Sequence, residues 1–155
     1  MISISSARFA RRRFGRTLRR LVLLKRTRAE RRCWRLISHW LSGAILGAFV
    51  RGNLIGVAGF YVSPARRSQH RGHIFTVYVR ENGRGKGFGD RLIKELLAHA
   101  EARVEQVHLE VLLEATAAIR TYKRNGFEVY GTDPCAVRIG DVTYDKYLMV
   151  RKFSH

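Results

Sequence analysis

The chain has few cysteines, and that scarcity excludes several kinds of site. Cys33 and Cys135 are the only two in 155 residues, and neither has a Cys-x-x-Cys companion. Neither a disulfide framework nor a zinc site is therefore indicated, and free cysteines suit a reducing, cytoplasmic compartment. His70 and His73 lie three positions apart without an acidic or Cys partner nearby, so we predict no metal site there.

Long apolar runs are also missing. The longest, residues 41–50, contains Ser and Gly, and it is far shorter than the roughly 20 residues that a membrane-spanning helix needs. We therefore expect a soluble protein without a membrane span. A hydrophobic content of 46% in 155 residues is enough for one core, so residues 1–155 are predicted to form a single domain.

Acidic residues are scarce, and the resulting positive charge is unevenly distributed. Lys and Arg number 30 against 12 Asp and Glu, which gives a net charge of +18. Residues 1–43 carry 13 of the basic residues and one acidic residue, Glu30, whereas the remainder has a net charge of +6. The moderate basicity of that remainder suits a polyanionic cofactor.

The basic segment 1–43 has three interpretations. Its apolar residues recur at helical intervals, which favours a pair of helices. An Arg-rich, acid-poor start is also typical of an organelle transit peptide, and a basic arm can bind nucleic acid through its phosphates. We predict a helical segment and leave the other two interpretations open. The apolar residues concerned are Phe14, Leu18, Leu21, Val22, Trp34, Ile37 and Leu41.

Glycine, in contrast, is concentrated at one place. Residues 84–89 read Arg-Gly-Lys-Gly-Phe-Gly between a β-rich run, residues 73–79, and a segment with helical periodicity, residues 90–102. Glycines at alternate positions let backbone N–H groups close on a pyrophosphate at the positive end of a helix. Arg84 and Lys86 add full charges at the same point, so the loop is predicted to bind phosphates.

The spacing of these glycines excludes two common nucleotide-binding motifs. A Walker loop needs Ser or Thr after its Lys, and Gly87 follows Lys86 here. A Rossmann fingerprint would need its third glycine at Phe88 or at Asp90.

The segments around the loop predict a βαβ unit. One face of the helix 90–102 is apolar, and a β-rich run follows at residues 107–113. Strands joined in this way run parallel, and ligands bind at their carboxyl ends. The apolar helix residues are Leu92, Ile93, Leu96, Leu97 and Ala100.

A second motif follows the βαβ unit. Residues 115–125 have helical periodicity and include Tyr122, and Asn125 with Gly126 supplies a left-handed stop before Phe127. Together with the Arg-x-x-Gly-x-Gly loop, this helix resembles the GNAT superfamily of N-acetyltransferases.

The resemblance extends over about residues 44–153. It includes a β-hairpin formed by residues 46–50 and 54–61, which precedes the cofactor strand, and a closing hairpin within residues 130–149. It implies an α/β fold with a mixed, mostly antiparallel sheet, one splayed parallel pair of strands, and flanking helices.

The resemblance also implies acetyl-CoA as co-substrate, bound by the end of the strand 73–79 and by the glycine loop. The backbone of residues 77–79 is the expected hydrogen-bond donor to the developing oxyanion. The implied binding residues are Val77, Tyr78, Val79, Arg84, Gly85, Lys86, Gly87, Phe88, Gly89 and Asp90.

Two side chains are candidates for catalysis. Tyr122 is the implied hydrogen-bond donor to the departing thiolate. Glu110 is the first candidate for the base, because some GNAT relatives carry a Glu twelve residues before the Tyr, as here. His73 and Glu114 are weaker candidates for the base.

The chain departs from the family pattern at Ala115, where GNAT proteins usually have Asn. That side chain ties the strand end to the cofactor and caps the following helix, and Ala115 can do neither. Thr116 is the residue that could take over the cap.

The predicted function is therefore transfer of the acetyl group of acetyl-CoA to a primary amine by direct attack, without a covalent enzyme intermediate. The acceptor is either a small molecule or a protein amine. The alternative is a GNAT-like, non-catalytic protein that binds nucleic acid or another polyanion through its basic N-terminal segment. The sequence leaves open whether the chain forms a homodimer.

Overall fold

The computed structural model describes the backbone of residues 32–40 and the complete residues 43–153. Its helices are α1 (Phe88–Glu101) and α2 (Thr116–Arg124). The strands are β1 (Arg32–Trp40), β2 (Gly43–Val50), β3 (Asn53–Val62), β4 (Arg71–Val79), β5 (Gln106–Leu112), β6 (Glu128–Ile139) and β7 (Val142–Lys152). No helix within these residues is long and apolar enough to cross a bilayer.

The strands form one sheet in the order β1-β2-β3-β4-β5-β7-β6. Neighbouring strands are antiparallel except β4 and β5, which are parallel and are joined through α1. The mixed, mostly antiparallel sheet, both predicted hairpins and the βαβ unit are thereby confirmed.

The helix α1 packs its apolar face against the sheet. The five residues predicted for that face are all buried, and they share the core with Phe60 of β3 and Val107 and Leu109 of β5. Burial of a contiguous apolar stripe is the main force that holds such a helix on a sheet. The helix therefore has a fixed position relative to the strands on either side of it.

The structure corrects the helical interpretation for residues 32–40 of the basic segment. Residues 34–40 belong to β1, which pairs antiparallel with β2 along its length, from Arg32 opposite Val50 to Trp40 opposite Gly43. A short apolar run cannot be assigned to helix or strand by periodicity alone, and aromatic and β-branched residues favour a strand when a partner is available. The predictions for residues 1–31 and for Leu41 lie outside the described residues.

Candidate active site

A gap separates β4 from β5 over most of their length. The two strands pair only at three positions, from Arg71 opposite Gln106 to His73 opposite His108. Beyond His73, β4 keeps its ladder with β3 but pairs with none of the described strands on the side of β5. Backbone groups of β4 that point away from β3 in this stretch therefore face the gap.

A β-bulge lies in the part of β4 that lines the gap. Val57 pairs with Tyr78 and Gly59 pairs with Phe75, so Thr76 and Val77 together oppose one residue of β3. Thr76 has a φ of +50°, a left-handed conformation that costs a residue with a Cβ about 1–2 kcal/mol. The bulge thus includes Val77 and interrupts the regular ladder just before Tyr78 and Val79; these three are the residues predicted to donate to the oxyanion.

The glycine loop follows β4 after a short connection that contains the 3-10 helix Glu81–Gly83. Gly85 and Gly87 have φ values of +71° and +78°, which glycine adopts without strain. A Cβ on either residue would meet no atom within 4 Å. The backbone conformation requires glycine, and the space beside both residues is open to a ligand.

The cationic side chains of the loop lie at its surface. Arg84 donates from Nε to the carbonyl oxygen of Val79 at 3.3 Å, and Lys86 donates from Nζ to that of Asn82 at 2.8 Å. Both are exposed and bonded to neutral carbonyl groups. The side chains of Arg84 and Lys86 can therefore turn towards a phosphate at a small cost in free energy.

The helix α1 begins at this loop with no side-chain cap. Gly87 is the N-cap residue, so the first turn contains amide N–H groups that neither the helix nor a capping side chain can satisfy. These amides, together with the helix dipole, fit an anionic ligand such as a diphosphate. The side chain of Phe88 is buried in the core, so Phe88 can contribute to such a site only through its backbone.

Asp90, the next predicted binding residue, uses its side chain within the protein. Its carboxylate accepts a hydrogen bond from Nδ2 of Asn125 at 2.9 Å and pairs with Lys94 at 2.9 Å. The hydrogen bond from Lys94 is the main cause that lowers the pKa of Asp90, so the carboxylate is ionised at neutral pH. Asp90 thus joins the first turn of α1 to the end of α2.

Tyr122 is the one buried residue of α2. Its ring packs edge-on against Phe127, with 6.0 Å between the ring centroids. Desolvation raises the pKa of Tyr122 to about 12. The phenol is therefore protonated throughout the physiological range and can donate a hydrogen bond.

Glu110 lies on β5 with its side chain half-exposed, and Oε2 pairs with Nζ of Lys146 at 2.9 Å. It is also close enough to His73 to raise the pKa of that imidazole, although desolvation and Arg71 lower it more strongly. His73 pairs with His108, two positions before Glu110 on β5, so the sheet places Glu110 and His73, two of the candidates for the base, near the same end of the gap. No hydrogen bond or ring contact joins Glu110 to Tyr122 within residues 43–153.

A row of rings crosses the sheet where the gap closes. Tyr61 stacks on His73 with centroids 5.0 Å apart, His73 lies 5.6 Å from His108, and His108 lies 5.5 Å from Tyr130. Arg71 donates from Nε to Nε2 of His108 at 3.1 Å. The row forms an aromatic surface beside the narrow end of the gap.

The Acetyltransferase (GNAT) family model matches residues 9–127. The chain belongs to the GNAT family.

Two N-acetyltransferases resemble the chain at moderate identity. L-amino acid N-acetyltransferase AaaT of Escherichia coli K12 is 29% identical over 68% of this chain and 66% of its own length. N-alpha-acetyltransferase RimI of Mycobacterium tuberculosis is 33% identical over 68% of this chain and 64% of its own. The chain thus spans less than two thirds of the length of these curated relatives.

A solved GNAT structure supports the fold. The ribosomal-protein-alanine N-acetyltransferase of Brucella melitensis superposes with a TM-score of 0.66 at 26% identity, over 72% of this chain and 69% of that protein. The sheet with its splayed strands is therefore the GNAT sheet, and the glycine loop occupies the place that the sequence motif predicted.

Sequence reasoning missed three features of this GNAT site. The motif identified Asn125 only as part of a helix stop, whereas its amide reaches Asp90. The positive φ of Thr76 has no signal in the sequence. The predicted cap by Thr116 is wrong, because Ala115 is the N-cap residue of α2 and the helix has no side-chain cap.

His108 should make the fold sensitive to mild acid. Desolvation, with a contribution from Arg71, lowers the pKa of His108 from 6.5 to about 4. The unfolded chain then binds more protons than the folded chain between these values, so stability decreases as the pH falls from 6.5 towards 4. We expect this residue to contribute a loss of at most about 3 kcal/mol.

Chemical denaturation at a series of pH values measures this effect. In His108→Gln the free energy of unfolding should vary less between pH 6.5 and 4 than in the wild type. Parallel curves for the two proteins would contradict the assignment to His108.

Proposed function

We propose that this GNAT protein transfers the acetyl group of acetyl-CoA to a primary amine by direct attack. The observation that carries the proposal is the short connection between two parts of the site: only residues 80–83, which include the 3-10 helix Glu81–Gly83, separate the edge of β4 that faces the gap from the open glycine loop at the start of α1. A ligand held by its phosphates at the loop can therefore extend along the gap.

Different groups of the protein would bind different parts of acetyl-CoA. Acetyl-CoA, when bound, supplies an acetyl group activated as a thioester. The amides around Gly85 and Gly87, with Arg84 and Lys86, would hold its diphosphate. Backbone N–H groups of residues 77–79 would donate hydrogen bonds to the oxygen that gains negative charge.

The reaction needs one proton to leave the amine and one to reach the sulfur. A C–N bond forms as the C–S bond breaks, and a lysine-like amine is neutral in only about one molecule in two thousand at pH 7. We assign removal of the proton to Glu110, and we assign to Tyr122 a hydrogen bond to the departing sulfur.

Two measurements on the full chain test the proposal. Calorimetry should give micromolar binding of acetyl-CoA, and thiol release should occur with some member of an amine panel. The relatives are named for an L-amino acid and for N-alpha amines, so the panel contains free L-amino acids, peptides with free N-termini and lysine derivatives. Undetectable binding of acetyl-CoA would refute the proposed acetyltransferase activity.

The alternative, a non-catalytic polyanion-binding protein, depends on basic residues that lie mainly at positions 1–31, outside the described residues. Binding of RNA or DNA that weakens steeply with salt, without thiol release from acetyl-CoA, would support it. The cytoplasmic location and a homodimer stay predictions.

The role of Glu110 can be separated from its ion pair. Glu110→Gln removes the carboxylate, and we expect kcat/KM to fall by at least about a hundredfold with loss of the acidic limb of the pH–rate profile. Lys146→Gln breaks the same ion pair but keeps the carboxylate, so it should retain activity within about threefold.

Equal losses in the two variants would show that only the ion pair matters. If Glu110→Gln keeps its activity and His73→Gln loses it, the base is His73. Steady-state kinetics from pH 5 to 10 distinguish these outcomes.

A further inference from the structure

The helix α2 is short and packs against the core through Tyr122 and the partly buried Ala118 and Ile119. It has nine residues, no side-chain cap at Ala115, and Tyr122 as its only buried residue. A helix of this length is marginal in isolation, so its position depends on tertiary contacts. Any role of Tyr122 in the transfer needs a contact that fixes this helix relative to the glycine loop.

Asn125 supplies such a contact immediately after the helix. It is buried, with 5% of its surface exposed, and its Nδ2 group donates to Oδ1 of Asp90 at 2.9 Å and to the carbonyl of Thr121 at 2.8 Å. The backbone carbonyl oxygen of Asn125 accepts a hydrogen bond from Nη1 of Arg151 at 2.7 Å. One residue thus joins the first turn of α1, the last turn of α2 and the strand β7.

The hydrogen bonds of Asn125 also help to hold the side chain of Tyr122 in its buried position. Asn125 follows Tyr122 by three positions, and residues at this spacing lie on the same side of a helix. Both side chains are buried. A bond that holds Asn125 against α1 therefore limits rotation of α2 and keeps the tyrosine turned inward.

We propose that Asn125 is a positioning residue, which through its hydrogen bond to Asp90 fixes the Tyr122 helix against the start of α1, where the glycine loop ends. The inference rests on the proposed function, because a fixed Tyr122 matters for catalysis only if acetyl transfer occurs. It does not require that Asn125 touch either substrate.

The charge on Asp90 strengthens the bond. Lys94 pairs with the carboxylate at 2.9 Å, and Arg124 approaches it at 4.0 Å. Hydrogen bonds to an ionised acceptor are stronger than those between neutral groups. The neighbouring cations also offset a negative charge that would otherwise oppose an anionic ligand at the same helix turn.

Two substitutions at one position isolate the hydrogen bond. Asp90→Ala and Asp90→Asn remove the same charge, but only asparagine keeps an oxygen that can accept from Asn125. We expect kcat for thiol release to be about tenfold lower in Asp90→Ala than in Asp90→Asn. The dissociation constant of acetyl-CoA should be the same in both variants.

Further variants test the coupling. Asn125→Ala should lower kcat as much as Asp90→Ala, and the double variant should be no worse than Asn125→Ala alone. Glu95→Ala is the control, because among the described residues Glu95 pairs with Arg91 of the same helix, and it should keep the wild-type kcat. Equal kcat in Asp90→Ala and Asp90→Asn, or additive losses in the double variant, would overturn the proposal.

Hydrogen exchange of residues 116–126 gives a readout that does not depend on turnover. Their amides should exchange at least about tenfold faster in Asp90→Ala than in wild type, and at the wild-type rate in Asp90→Asn. Equal exchange in the two variants would overturn the positioning role even if the enzyme is active.

Absence of thiol release by wild type would instead refute the proposed function, and the exchange result alone would then decide whether Asn125 holds the helix. If Asn125→Ala does not fold, the two Asp90 variants carry the test.

Discussion

Gly87→Glu should lower the affinity for acetyl-CoA by at least about a hundredfold, or about 3 kcal/mol, while the protein stays folded. A carboxylate at the N-cap of α1 would face the diphosphate at the positive end of the helix and repel it. The new side chain enters open space in the free protein, so its cost to the fold is limited to the strain at a φ of +78°. Calorimetry with acetyl-CoA measures the loss.

Gly140→Glu is a matched control for this change. Gly140, in the turn between β6 and β7, also has a positive φ and also has open space around its Cβ position. The substitution therefore adds the same charge and a similar strain at a site far along the chain from the loop. Acetyl-CoA affinity should be retained in Gly140→Glu, and an equal loss in both variants would show that the effect is not specific to the glycine loop.

Tyr122→Phe should lower kcat by about a hundredfold, or about 2.7 kcal/mol, with little change in acetyl-CoA affinity. The substitution removes the hydroxyl and keeps the ring that packs on Phe127. With a pKa of about 12 for Tyr122, full proton transfer to a thiolate of pKa near 8.5 is uphill by roughly 5 kcal/mol. We therefore expect a hydrogen bond rather than complete proton transfer to stabilise the leaving group.

The pH–rate profile provides a second check on Tyr122. Because the phenol stays protonated, the wild type should show no decline in kcat caused by this residue below about pH 10. Tyr144→Phe, a substitution on β7 near the closing turn, is the control and should leave kcat unchanged. Unaltered kcat in Tyr122→Phe would contradict the donor role.

The sequence predicted the part of the fold in which local and tertiary preferences agree. The helix α1 has its apolar residues on one face, and the same residues are buried against the sheet. The turn between β2 and β3 and the stop at Gly126 also have local signals, since Gly52 and Gly126 adopt positive φ. Such elements need no distant partner to be recognised.

The strand β1 shows where this reasoning fails. Trp34 and Ile37 are spaced at a helical interval, yet both lie in a strand that pairs with β2, and the register of that pairing shifts between Leu36 and Ser38. Hydrogen bonds to a neighbouring strand involve residues outside the local segment. The pattern of apolar residues within that segment therefore cannot predict them.

By itself, the sequence determined the GNAT family resemblance and the glycine loop, because a backbone with positive φ at Gly85 and Gly87 requires glycine wherever it occurs. Only the tertiary structure decided how far β4 separates from β5, that Lys146 pairs with Glu110, and that Asn125 reaches Asp90. These features join residues that are 30 or more positions apart, and the raised pKa of Tyr122 likewise depends on the whole environment that removes water from its hydroxyl.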